Sequence, residues 1–156
     1  MSDERFSVDA ARRAADRGEL REWVSRFLAS PGSDNAPLAA ELIERLEHWI
    51  GPVQLPLNRI QRLAGPPEDP VLVPVDEDYW DDRVDEMAER IEGADDWEPA
   101  PVIVSYHDGD LALEDGNHRL ESLRRVGRPE TWAIIGFEND AGRAAFCSEY
   151  NPSACD

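Results

Sequence analysis

The order of helical and strand-like segments predicts an α+β fold for this chain. Two long N-terminal segments repeat apolar residues at the three- and four-residue spacing of a helix. Short runs rich in β-branched residues then alternate with further helical segments. An Asp108-Gly109 pair separates two of these runs, which is typical of an antiparallel hairpin. The 156 residues are enough for one domain with a buried core.

Two helices are predicted before the strand-rich part of the chain. The first covers residues 7–29, where Ser7 suits the N-cap position and Gly18 can divide the helix in two. The second covers residues 36–50, because its apolar stripe continues to that point and a Gly-Pro pair follows. Residues 1–51 are therefore predicted to form a helical extension.

The middle of the chain mixes strand and helix signals. Strand composition occurs at residues 53–57 and 71–75, and a short helix is predicted between them at 58–64. A long helix is predicted over residues 77–92, since its apolar residues fall on one face.

The remaining chain predicts the rest of the core. Its elements are strands over 102–106 and 111–113, a helix over 117–126, a strand over 131–137 and a helix over 138–150. Residues 52–137 are interpreted as the core of one compact domain, and residues 138–156 as a C-terminal segment.

The charge of the chain disfavours several classes of partner. There are 16 basic and 34 acidic residues, which gives a net charge of −18. A chain this acidic repels nucleic acid and anionic membranes. No apolar run approaches the roughly 20 residues of a membrane helix, and Cys147 and Cys155 lack metal-site spacing. The sequence therefore predicts a cytoplasmic protein with both thiols free.

Acidic residues are concentrated at residues 76–98, where twelve acids accompany two arginines. A solvated helix face explains this composition without a partner. Nothing in the pattern directs these carboxylates inward, so no metal site is predicted. The alternative is a docking surface for a basic protein partner, with Asp81, Asp82, Asp85 and Glu86 at its centre.

The most distinctive stretch is the turn before the helix predicted over residues 117–126. Glycine lets an anion approach the backbone closely, and the first N–H groups of a helix lack internal partners and attract negative charge. Arg119 can hold a phosphate with two hydrogen bonds, and His118 can donate to it or shuttle a proton. We therefore predict a phosphate-binding site formed by Gly116, Asn117, His118, Arg119 and Ser122.

Two acids precede this turn and allow two interpretations. Glu114 and Asp115 can hold a magnesium ion or serve proton transfer together with His118, which makes these three the predicted catalytic residues. An ordinary helix start fits equally well, with Asp115 as the cap and Glu121 paired with Arg125. The residues alone leave both interpretations open.

Four motifs lie between residues 53 and 137: DGNHRLES at residues 115–122, LPLNRI at 55–60, MAERI at 87–91 and PVIV at 101–104. Through these motifs, residues 53–137 resemble the ParB/sulfiredoxin-like superfamily. The resemblance implies a small mixed sheet with helices packed on it, here preceded by the two N-terminal helices. In ParB-type proteins the matching box binds the phosphates of CTP, in sulfiredoxins it binds ATP, and free-serine kinases of this fold use ADP. The shared position is an arginine, here Arg119, with Gly116 before it.

The resemblance implies a nucleotide (ATP, ADP or CTP), with magnesium, as the ligand. Asn117 stands where sulfiredoxins carry their catalytic cysteine, so peroxiredoxin repair is not expected. Two functions from different classes follow. One is a nucleotide- or phosphate-binding protein, extending to nucleotide hydrolysis or phosphoryl transfer, and the other is an inactive interaction module whose acidic helix binds a basic protein.

Overall fold

The computed structural model describes residues 6–30, 36–61, 77–93, 100–107 and 109–150. Within these ranges the helices are α1 (Val8–Asp16), α2 (Leu20–Ala29), α3 (Ala36–Arg45), α4 (Glu77–Gly93), α5 (Asn117–Arg125) and α6 (Asp140–Tyr150). The strands are β1 (His48–Pro56), β2 (Ile60–Gln61), β3 (Val102–His107), β4 (Asp110–Asp115) and β5 (Glu130–Phe137). The predicted α+β fold is confirmed.

The described strands form one mixed sheet in the order β1-β5-β3-β4-β2. β1 pairs with β5, and β3 with β4, in antiparallel fashion, whereas β3 with β5 and β2 with β4 are parallel. The hairpin between β3 and β4 contains Gly109 at φ 93°, a left-handed conformation that favours glycine. The sheet is therefore mixed, as the resemblance implies, and the end of β4 lies beside its central strand.

Helices pack on both faces of this sheet. On one face, Ile103 and Ile134 are buried against the apolar residues of α1, α2 and α3. On the other face, Val104 and Ile135 are buried with Leu120 of α5 and Phe146 of α6. The N-terminal extension is thus part of the packed structure, because its helices bury Ile103 and Ile134 on one face of the sheet.

Two of the helix predictions are confirmed. The first predicted helix is divided at Gly18, which has φ 70°, and its N-cap Ser7 accepts a hydrogen bond from the N–H of Ala10 at 3.1 Å. The helix predicted over residues 77–92 is α4, in which Val84 and Ile91 are buried.

The helix predicted over residues 36–50 is too long, because α3 ends at Arg45 and β1 begins at His48. Trp49 pairs with Gly136 of β5, and a side chain at that glycine would lie 2.9 Å from the Trp49 ring. The apolar run fits either a helix or a strand, and pairing with β5 decides for the strand. The tryptophan then packs in the space that the missing side chain of Gly136 leaves.

The short helix predicted over residues 58–64 is also wrong in its described part. Leu57–Arg59 form a single 3-10 turn, and Ile60 then pairs in parallel with Leu111 of β4. The strand predicted over residues 71–75 lies outside the described residues. The last helix begins at Asp140 rather than 138, where the side chain of Asn139 accepts from the N–H of Gly142 at 2.9 Å.

The prediction of free thiols is wrong for Cys147, which is disulfide-bonded. The prediction rested on the absence of metal-site spacing and on a reducing cytoplasm, whereas a disulfide forms where the fold brings two cysteines together under oxidising conditions. In the part of the chain that the structure describes, no helix has the length and apolar character needed to cross a membrane.

Candidate functional site

Gly116 connects β4 to α5 in a conformation that only glycine adopts readily. Its φ is 118° and its ψ is 26°. A Cβ atom here would lie 2.7 Å from Cγ1 of Val102 and 2.9 Å from Nη2 of Arg119. No side chain caps the start of α5, so the alternative in which Asp115 is the cap is wrong. The turn therefore places the side chain of Arg119 next to the backbone of Gly116.

Arg119 lies at this turn and is nearly buried. Its Nη2 donates to Oδ2 of Asp115 at 2.9 Å, and its side chain is 12% exposed. Its Cζ lies 5.1 Å from the ring centre of Phe27 in α2. Burial lowers the pKa of Arg119, while the charge of Asp115 and its hydrogen bond act in the opposite direction. Arg119, the residue predicted to bind a phosphate, is thus a desolvated cation that the carboxylate of Asp115 already contacts.

Glu114 has different partners from Asp115. Ser105 Oγ donates to Glu114 Oε2 at 2.7 Å, and Arg45 Nη2 lies 3.4 Å from Oε1. The Glu114 side chain is only 12% exposed. The two acids are therefore held by different arginines, and the described residues contain no group of three His, Cys, Asp or Glu side chains that would hold a metal ion.

A register irregularity in the hairpin accounts for the direction of these acids. Between Ile103 and Val104 the pairing of β3 with β4 shifts, and Ile103 pairs with Asp115. Ile103 belongs to the apolar cluster that α1, α2 and α3 cover. Such irregularities redirect side chains near sites. In this chain, the end of β4 meets the extension: Glu114 contacts α3, and the partner of Asp115 contacts α2.

Ser122 lies inside the protein instead of at the turn. Its side chain is fully buried, and Oγ lies 2.7 Å from the carbonyl oxygen of His118 and 3.1 Å from that of Val84 in α4. The hydroxyl thus ties α5 to α4. This placement leaves no direct path from the hydroxyl to a ligand, so Ser122 is dropped from the set that holds a phosphate.

The arginines later in α5 are engaged by acids. Glu121 is fully buried and accepts from Arg124 Nε at 2.6 Å and from Arg125 Nε at 3.1 Å. Arg125 also donates to Asp85 of α4 at 3.0 Å. The predicted Glu121–Arg125 pair is confirmed. The positive charge of this helix is therefore largely neutralised within the protein, and Arg119 differs from the other two in lying at the uncapped helix start.

The structure brings together four of the predicted site positions: Asp115, Gly116, the first residue of α5 at Asn117, and Arg119. His118 follows in the first turn and is half-buried. Sequence reasoning missed Phe27 and Arg45, which contact the site from the extension. Phe27 lies in an ordinary apolar stripe, so no local signal marked it.

Similar solved structures come from two groups of proteins. Sulfiredoxin from Arabidopsis thaliana is 24% identical with a TM-score of 0.35, and the match covers 60% of this chain and 94% of that chain. The C-terminally truncated chromosome-partitioning protein ParB from Caulobacter crescentus, complexed with CTP-γ-S, is 18% identical with a TM-score of 0.35. That match covers 65% of this chain and 53% of the ParB chain.

A scan against family models and a search of curated proteins find no match. The present chain spans about half of the ParB chain that it matches. A TM-score of 0.35 describes a partial likeness, so the chemistry of the site depends on the contacts of its own residues.

Proposed function

We propose that the protein binds a nucleotide or another small phosphate-bearing ligand at the turn between β4 and α5. The observation that carries the proposal is Arg119, a nearly buried cation at a helix start that no side chain caps. Backbone N–H groups at such a start, together with a guanidinium, suit a phosphate. The ligand-holding set is the backbone at Gly116 and Asn117, with His118 and Arg119.

In this proposal the phosphate replaces Asp115 as the acceptor of Nη2 of Arg119. The exchange substitutes one anion for another, so the guanidinium stays paired and its burial is not an obstacle. Asp115 is 19% exposed and close to the surface, where its released carboxylate can be solvated. Asp115 is therefore a competitor of the ligand in this proposal.

Binding is favoured over phosphoryl transfer by the placement of the acids. Glu114 accepts from Ser105 and lies near Arg45, and Asp115 accepts from Arg119. Neither acid is placed as an unengaged base for a reacting group. A magnesium ion that arrives with the nucleotide would find Asp115 nearby once that carboxylate is released.

Calorimetric titration with ATP, ADP and CTP, each with and without magnesium, tests this proposal. We expect Arg119→Ala to weaken binding by about tenfold or more, since it removes charge-assisted hydrogen bonds. The matched control is Arg128→Ala, which removes the same charge from an exposed position just after α5. Asp115→Asn should strengthen binding, because it removes the competing charge. Absence of binding by the wild type, or equal binding by Arg119→Ala, contradicts the proposal.

A second candidate function, docking of a basic protein, is favoured by the exposed acids of α4. Asp82, Glu86 and Glu89 are exposed, while Val84 and Ile91 bury the opposite side of the helix. A pull-down from the source cells, repeated with Asp82→Lys/Glu86→Lys, tests it. The matched control reverses the exposed Glu22 and Glu44 of the extension. A basic partner lost only with the α4 variant supports this candidate, and a partner retained by that variant excludes it.

A further inference from the structure

An aromatic side chain from the N-terminal extension contacts the arginine of the candidate site. Phe27 of α2 is 5% exposed, and Arg119 Cζ lies 5.1 Å from its ring centre. A guanidinium within about 6 Å of an aromatic ring centre is attracted by the ring electrons. Arg119 thus has two kinds of contact: a cation–π contact with the ring of Phe27 and a hydrogen bond to the carboxylate of Asp115.

The ring of Phe27 is itself fixed by its neighbours. Trp23 stacks on it with ring centres 5.2 Å apart and an angle of 7° between the planes. Phe6 lies 5.4 Å away in a tilted arrangement. These three rings, two on α2 and one in the segment before α1, pack together, so Arg119 contacts the edge of an aromatic cluster and not an isolated ring.

A second contact fixes the extension against the same turn. Arg45 at the end of α3 lies 3.4 Å from Glu114, the residue two positions before Gly116. Two helices of the extension therefore contact the residues that flank the turn, one through Glu114 and the other through Arg119. Their contacts are long-range and do not depend on the hydrogen bonds of the turn itself.

We infer that Phe27 is a positioning residue for Arg119, so that the extension completes the ligand site; this inference rests on the proposed function. With Phe27 in place, the guanidinium keeps one orientation when a phosphate displaces Asp115. Less side-chain freedom is then lost on binding, and the neighbouring ring keeps water from the cation. Without the ring, the guanidinium would have to be ordered by the ligand alone.

Nucleotide titration of Phe27 variants tests the inference. Phe27→Leu keeps an apolar core residue but removes the ring, and we expect affinity to fall by about three- to tenfold. Phe27→Tyr keeps the ring and should retain wild-type affinity within about twofold. The matched control is Phe146→Leu, which removes a buried ring of α6 from the core on the other face of the sheet. That control should leave affinity unchanged.

Two further measurements separate positioning from general destabilisation. In an Arg119→Ala background, Phe27→Leu should have no additional effect on affinity, because the ring acts through the guanidinium. In ligand-free protein, the NMR signal of the Arg119 Nε–H should lose its ring-current shift and exchange faster with water in Phe27→Leu. The double-variant comparison depends on Arg119 itself, so a loss of stability alone does not reproduce it.

The possible results distinguish the two proposals. If the wild type binds no nucleotide, the proposed function fails and the positioning role fails with it. If the wild type binds and Phe27→Leu binds equally well, only the positioning role is overturned. The same holds if the effect of Phe27→Leu persists undiminished in the Arg119→Ala background.

Discussion

Replacing Gly116 with alanine should destabilise the protein strongly. The residue has φ 118°, which costs a side-chain-bearing residue about 1–2 kcal/mol. The new Cβ would lie 2.7 Å from Cγ1 and 3.0 Å from Cβ of Val102, a buried residue of the central strand. Forcing such an overlap in a packed core costs about 1–3 kcal/mol. Taken together, a loss of about 3 kcal/mol is expected.

The chain supplies a matched control for this substitution at the other end of α5. Gly127 has φ 82°, yet a Cβ there would have no neighbour within 4 Å. Gly127→Ala therefore carries only the backbone cost, about 1 kcal/mol. The difference between the two variants isolates the overlap with Val102 and Arg119.

Thermal unfolding followed by circular dichroism measures both variants. For a chain of this size, each kcal/mol shifts Tm by about 2–4 °C. Gly116→Ala should therefore lower Tm by roughly 6–12 °C and Gly127→Ala by roughly 2–4 °C. The double variant Gly116→Ala/Val102→Ala should not be additive, because the smaller residue relieves part of the overlap. Equal Tm values for the two glycine variants would refute the packing that we describe around the turn.

Three further predictions concern the polar residues around the site. Glu121→Ala should lower the free energy of unfolding, measured with urea, by about 2–3 kcal/mol, because it removes the buried acid that binds two arginines. Glu130→Ala, at an exposed position, should change it by no more than about 0.5 kcal/mol. A loss equal for both would contradict the buried pairing. Ser122→Ala should cost about 1 kcal/mol of stability and leave nucleotide affinity unchanged, because its hydroxyl bonds within the protein; a clear loss of affinity would return Ser122 to the ligand set. Arg45→Ala should lower stability more than Arg13→Ala, which lies on the exposed side of α1, because Glu114 is left buried with one partner fewer; equal stability would show that the contact of Arg45 with Glu114 contributes nothing.

Local patterns were sufficient for much of the architecture. The Asp-Gly signal of the hairpin, the apolar face of α4 and the glycine before α5 are all encoded within a few residues. The error at the end of α3 has a specific cause. An apolar run such as the one ending at Ile50 fits helix and strand equally, and only the partner strand β5, far along the chain, decides between them.

The candidate site was predicted less completely than the fold. The motif alone indicated Gly116 and Arg119, because their spacing is local. Arg119 contacts Phe27, and Glu114 contacts Arg45. Both partners come from helices that are far from the turn in the sequence. The spacing of apolar residues along the sequence does not predict such a long-range contact. Burial of Ser122 was equally hidden, since a serine one turn into a helix reads as a surface hydroxyl.

The contact of Arg119 with Asp115 has a consequence for selectivity among anions. A solute that takes the place of Asp115 at Nη2 of Arg119 must outcompete a carboxylate that is already 2.9 Å away and tethered to the same chain. Chloride and acetate carry a single charge and gain little from that exchange. Under the proposed function, a polyphosphate would bring several charges and several acceptor oxygens at once, and the carboxylate of Asp115 would exclude weakly charged solutes.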